Sequence, residues 1–273
     1  MRQLSAEALV DFREQGAVCL RGVFGDAWLD ELRAGVEDAL HHPGPMAEDY
    51  TPAGQPGRFF SDLDLWQRLP RFRRFVFDSP AAAIAGQLMQ SRKITFLYDQ
   101  LFVKEPGTGE RTPWHQDQPY WAVSGRQVCS LWLPLDPVAA ESSVQYIKGS
   151  HCWPAHNPRH FADHSPYRGT GLPALPDIDA HPDRFERLAW DMQPGDCVVF
   201  QAMMVHGAAG NASLVRRRRA LATRWCGDDA RFVRRVGEVA IPTTDPGLAD
   251  GAELDSELFP VVWRAPVDAG SAA

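Results

Sequence analysis

The stretch KITFLYDQLFVKE, residues 93–105, divides the chain in two. It alternates, is rich in aromatics and reads as a β-strand. Before it the apolar spacing is mostly helical. SAEALVDFRE at 5–14 opens on Ser5 as an N-cap, and DAWLDELRAGVEDALHH at 26–42 puts Trp28, Leu29, Leu32 and Val36 on one side. Between them GAVCLRGVF, 16–24, reads as a short strand. Residues 43–58 are rich in Pro and Gly and read as a loop, and two more helices are expected over about 64–77 and 80–90.

After residue 105 the pattern is one of short strands between Pro and Gly turns: QVCSLWLPLD (127–136), SVQYIKG (143–149), PGDCVVFQAMMVHG (194–207) and RRALATRWC (218–226). RRVGEVAI (234–241) is expected to add another. Such a series predicts a β-sandwich or barrel. Residues 150–190 are long, polar and rich in His and Pro, the character of an active-site lid. No linker or internal repeat interrupts the chain. The expected plan is one domain, mainly β with flanking helices (α+β). An N-terminal helical layer, about 5–90, packs on a jelly-roll (cupin-like, double-stranded β-helix) core, about 93–241.

Composition narrows the function. Of 273 residues 44% are hydrophobic, enough for a sizeable core. The net charge is −7, so nucleic-acid binding is not expected. No apolar run is long enough for a bilayer, and the opening MRQLSAEALVDFREQG has no apolar signal core, so a cytoplasmic protein off the membrane is expected. The five cysteines form no CxxC pair and fit a reducing compartment. Oligomeric state is not legible.

TPWHQDQPYW, 112–121, carries His115 and Asp117 one residue apart. In an extended segment both side chains would leave the same face and could reach one ion. His206, at the end of a strand later in the chain, supplies a second imidazole. Two imidazoles and a carboxylate are the facial set of non-haem Fe(II) oxygenases, which leaves positions open for cosubstrate and O2. About a dozen residues beyond His206 comes RRRR, 216–219. An arginine at the start of that strand, Arg218 or Arg217, could form a bidentate pair with the far carboxylate of 2-oxoglutarate. Alternation forbids both from pointing inward.

The ordered set LYDQLFVKEPGTGERTPWHQD, VCSLWLPLD, YIKGSH, PGDCVVF and HGAAGNASLVRRRRAL resembles the phytanoyl-CoA dioxygenase family of Fe(II)/2-oxoglutarate oxygenases. The resemblance runs from about residue 4 to about residue 263. It implies His115, Asp117 and His206 as iron ligands and catalytic centre, and Arg218 for 2-oxoglutarate, if RRAL is aligned on Ala220. Counting from His206 gives Arg217 instead. It places Trp132, Gln116 and Leu101 at cosubstrate-contacting positions. It implies oxidation of an unactivated C–H of a small organic substrate, with release of succinate and CO2. Asp117 argues against halogenation, since halogenating members of the wider group have a small residue there. Ala208 stands where the family often has Ser, removing one hydroxyl contact to 2-oxoglutarate. Tyr120, Trp121, Arg126 and the 150–190 lid are the expected substrate wall. His151 reads as a turn and lid residue rather than a ligand, and His156, His160 and His164, spaced by four, as a helical stripe or a second metal tract. Two other readings keep the jelly-roll: a cupin-like metal enzyme without 2-oxoglutarate chemistry, and a metal-stabilised ligand-binding protein. The arginine after His206 separates the first reading from these.

Overall fold

The computed structural model describes residues 3–266. Five helices are α1 (Ala6–Gln15), α2 (Asp26–His41), α3 (Leu65–Arg68), α4 (Pro70–Asp78) and α5 (Ala81–Met89). The strands before the lid are β1 (Ala17–Leu20), β2 (Glu48–Asp49), β3 (Phe59–Leu63), β4 (Lys93–Lys104), β5 (Thr112–His115), β6 (Val123–Ser124), β7 (Val128–Pro134) and β8 (Val144–Ile147). Those after it begins are β9 (Arg187–Leu188), β10 (Cys197–Gln201), β11 (His206–Ala208), β12 (Arg218–Cys226), β13 (Arg231–Phe232) and β14 (Val261–Arg264).

The strands build the expected jelly-roll. A large antiparallel sheet runs β1-β10-β7-β12-β4-β3-β2, with β14 paired to the start of β4. A four-stranded sheet, β5-β11-β8-β9, faces it. The helices cover the other face of the large sheet. Leu32, Val36, Phe72, Phe75 and Ile84 pack there against Phe96, Leu101, Leu131 and Leu221. A smaller core of Tyr146, Val198, Phe200 and Ala222 lies between the sheets.

Local signals explain most element ends. Ser5 accepts a hydrogen bond from the Ala8 N–H and caps α1. Gly195 has φ of 98°, and a Cβ there would sit 2.5 Å from the Phe24 carbonyl oxygen, so the turn into β10 requires glycine. The helix expected over 64–77 is two helices, because Pro70 opens a new one as its first residue. The strand expected over 234–241 is absent. Gly237 turns the backbone at φ 87°, and the segment meets the rest through an Ile241–Trp121 bridge, Arg235 donating to the Trp121 and Val123 carbonyls, and apolar packing of Val239 and Ile241. β3, β5 and β14 went unread, being short and set by tertiary pairing. A bulge reverses the alternation of β4: Arg224 pairs with Tyr98 and Trp225 with Phe96, leaving Leu97 unmatched.

On the helical side Asp99 is fully buried and accepts the Trp66 N–H at the start of α3. Burial, reinforced by Asp64, raises its carboxyl to about 8. The native state therefore keeps a proton that the unfolded chain releases above its ordinary carboxylate range. The stability this contributes is full at acid pH and is lost as pH rises through about 8. Melting temperatures taken across that interval should fall with pH, and Asp99→Asn should flatten the profile.

Candidate active site

The site lies between the two sheets. Alternate residues of β12, from Arg218 through Ala220 and Ala222 to Arg224, line one cavity with their β4 ladder partners Lys104, Phe102, Gln100 and Tyr98. The cavity measures about 440 Å³. Its opposite wall carries His115, Asp117 and His206.

β5 ends at His115, which pairs with His206 at the start of β11. The expected single strand running to His206 is two strands. The chain leaves the large sheet after Gln201, turns, and enters the small one. Nor is the His115–Asp117 segment extended. Asp117 has φ −71° and ψ −47°, at the entry to a 3₁₀ turn over Gln118–Tyr120. The two side chains therefore meet through a turn rather than the strand pleat.

Asp117 Oδ1 lies 3.5 Å from His115 Nε2 and 3.8 Å from His206 Nε2. All three ligand atoms lie within 4.8 Å of one another, and all three residues are buried. Ligand atoms at right angles around an ion about 2.1 Å away stand about 3 Å apart, so a small inward movement closes the set. Nδ1 of His115 is 2.7 Å from the Pro113 carbonyl oxygen, and Nδ1 of His206 is 2.9 Å from that of Met204. Each Nδ1–H donates to its carbonyl, which turns the Nε2 lone pair toward Asp117. Burial, helped by the neighbouring His115, lowers His206 to about 3, so its imidazole is neutral at ordinary pH. Burial opposes ionisation of Asp117, but His206, His115 and Arg224 prevail and hold it below the usual carboxylate range. Two imidazoles and one carboxylate, converging from buried positions, fit a divalent iron ion.

The far end of the cavity is cationic. Arg218 is buried and faces inward, donating to the carbonyls of Ser142 and Ala209. Arg217 turns outward to Glu37 at 2.8 Å and Glu105 at 3.0 Å, and Arg219 pairs with Asp136 at 2.7 Å. Beside Arg218 lies Lys104, donating to the carbonyls of Glu110 and Ala209 at 2.8 and 3.1 Å. Burial lowers Arg218 to about 10, and burial with the nearby Arg218 lowers Lys104 well below the lysine range. Arg218 stays charged, and its guanidinium bonds carbonyls rather than a carboxylate. A buried guanidinium without an anion, with the Lys104 amine beside it, makes a site ready for one.

The remaining expected residues divide. Trp132, Tyr120 and Trp121 line the cavity. Leu101 does not: it is fully buried against the helical core, because inward positions of β4 are the even-numbered ones beyond the bulge. Gln116 does not either. Its amide donates to the Pro154 and Met203 carbonyls and accepts the His156 N–H, tying the lid to the ligand loop. Arg126 is exposed on a turn, held through its backbone by Asp229. Ala208 lines the cavity as a methyl.

Lys104, Tyr98, Gln100 and Arg224 escaped sequence reading, although alternation on β4 and β12 could have found them once the bulge was known. Residues of the 150–190 segment also reach the cavity. Phe161 lies 5.0 Å from the His115 ring, and Tyr120 Oη donates to the Arg159 carbonyl at 2.7 Å. His160 also lines the cavity, while the expected helical stripe of lid histidines is an irregular segment. Leu101→Ala should lose about 2–5 kcal/mol of stability, read by chemical denaturation, with the KM for 2-oxoglutarate unchanged.

A double-stranded β-helix whose cavity joins a buried His/Asp/His set to an unpaired cationic end defines the non-haem iron, 2-oxoglutarate-dependent dioxygenases. Residues 12–220 match the phytanoyl-CoA dioxygenase (PhyH) family, and the chain belongs to it. A curated relative, the multifunctional dioxygenase prhA of Penicillium brasilianum, is 25% identical over 241 residues, 79% of this chain and 70% of the relative. Among solved structures, the non-haem α-ketoglutarate-dependent carbocyclase SnoK of nogalamycin biosynthesis superposes with a TM-score of 0.73 at 25% identity, covering 95% of this chain and 97% of SnoK. The epimerase SnoN, in complex with Fe3+, α-ketoglutarate and nogalamycin RO, gives 0.72 at 19% identity, covering 94% and 98%. The second likeness shows the fold. No helix among the described residues is long and apolar enough to cross a membrane.

Proposed function

We propose that His115, Asp117 and His206 hold Fe(II), that Arg218 with Lys104 holds the far carboxylate of 2-oxoglutarate, and that the enzyme oxidises a ring-bearing small molecule. The observation that carries this reading is the single cavity shared by the His/Asp/His set and the buried Arg218 with Lys104 beside it. Iron with 2-oxoglutarate and O2 supplies the oxidising power for C–H cleavage, with release of succinate and CO2.

The chain's own part is binding, orientation and exclusion of water. The Nδ1–H bonds of His115 and His206 hold both rings in the tautomer that can ligate. Arg218 offers a planar fork suited to a carboxylate, and Trp132 lines the same cavity. Ala208 offers no hydroxyl, so Arg218 and Lys104 carry the cosubstrate's far end without it. Tyr120, Phe161 and Tyr167 stack edge to face beside His115 and close the substrate side. A largely aromatic wall suits a flat or polycyclic substrate. The name of SnoK, a carbocyclase from nogalamycin biosynthesis, supports a natural-product substrate, and that of prhA, a multifunctional dioxygenase, supports oxidation. Free thiols at all five cysteines support a reducing, cytoplasmic setting.

The test is succinate formation from 2-oxoglutarate by the Fe(II)-loaded chain, with polycyclic candidates added in turn. Stimulation of turnover by one of them, with an oxidised product, supports the reading. Iron binding without 2-oxoglutarate binding would move it to a cupin-like metal enzyme.

A further inference from the structure

Asp117 is held by a residue that no motif marks. Ser130 lies in the middle of β7, fully buried, and its hydroxyl donates to Asp117 Oδ2 at 2.6 Å. The other oxygen, Oδ1, is the one that faces both imidazoles, at 3.5 and 3.8 Å. The carboxylate is thus sorted into a protein-facing oxygen and a site-facing oxygen.

That sorting has a chemical consequence. A free carboxylate can bind an ion through one oxygen or through both. Binding through both would occupy one of the positions that a facial set must leave open. Ser130 is well placed to prevent it. It pairs with Phe200 on one side and Arg224 on the other, so its backbone is locked in the centre of the large sheet. With that backbone fixed, the hydroxyl is held by its bond to Asp117, and a donor to a charged oxygen makes one of the stronger protein hydrogen bonds.

We propose that Ser130 is a positioning residue that keeps Asp117 a one-oxygen ligand and so preserves an open position at the metal. The inference rests on the proposal that His115, Asp117 and His206 form the metal site.

The full chain loaded with Co(II) tests it, because the visible bands of Co(II) weaken as coordination number rises. Ser130→Ala should show weaker bands than wild type and a 10–100-fold change in Co(II) affinity. Ser130→Cys, with the same shape and a weaker donor, should fall between. If Ser130→Ala does not fold, Ser130→Cys carries the comparison alone. Superimposable spectra and equal affinity for the wild type and the folded variants would overturn the role of Ser130 while leaving the metal site standing. A wild-type chain that binds no Co(II) would overturn both.

Discussion

Asp117→Ala should lower 2-oxoglutarate-dependent succinate formation by about a thousandfold or more, equivalent to about 4 kcal/mol of transition-state stabilisation. The expectation follows from geometry. Asp117 Oδ1 is the atom nearest both imidazoles, and it is the single carboxylate in the ligand set. Without it two imidazoles remain, and no carboxylate offsets the charge of a divalent ion in a buried place. His115→Ala should behave alike, since His115 and His206 are ladder partners and neither can substitute for the other. Metal titration separates this from unfolding. Both variants should lose high-affinity Fe(II) binding while retaining the far-ultraviolet circular dichroism of the wild type. Wild-type turnover in either would remove the triad from the mechanism.

The second large effect distinguishes neighbouring arginines. Arg218→Ala should raise the KM for 2-oxoglutarate about a hundredfold, as expected for loss of a charge-assisted, two-point contact worth roughly 2–3 kcal/mol. Arg217→Ala should change it less than about threefold, because partly exposed ion pairs contribute little. The structural difference is plain: Arg218 faces the cavity without a carboxylate partner, whereas Arg217 lies on the outer face between Glu37 and Glu105. Equal effects from the two substitutions would mean that the cosubstrate does not lie along β12.

The contrast between Arg217 and Arg218 also shows how far a linear reading reaches. Alternation requires that only one of them point inward, and aligning RRAL on its alanine favours Arg218. The register of β12 against β4, with Arg218 opposite Lys104, places it on the cavity side. The same reading missed Lys104, although it lies within the strand that divides the chain. A lysine in an aromatic strand gives no sign of burial until its neighbours are known.

His115, Asp117 and His206 were legible because ligand chemistry is written in residue type and order. The jelly-roll was legible because strand alternation and Pro/Gly turns are local. Leu101 and Gln116 were misplaced because side-chain direction depends on features that are not local. An unmatched Leu97 reverses the facing of a whole strand, and a lid 38 residues along the chain captures the Gln116 amide through Pro154. Ser130 belongs with them. A serine in a buried strand has no chemical signature of its own, and its role exists only because β7 passes within 2.6 Å of the Asp117 carboxylate. Residue identities and local periodicity, carried in the chain itself, define the reactive groups and the fold class. Which of those groups face one another follows from register, bulges and sheet crossing, which long-range pairing alone decides.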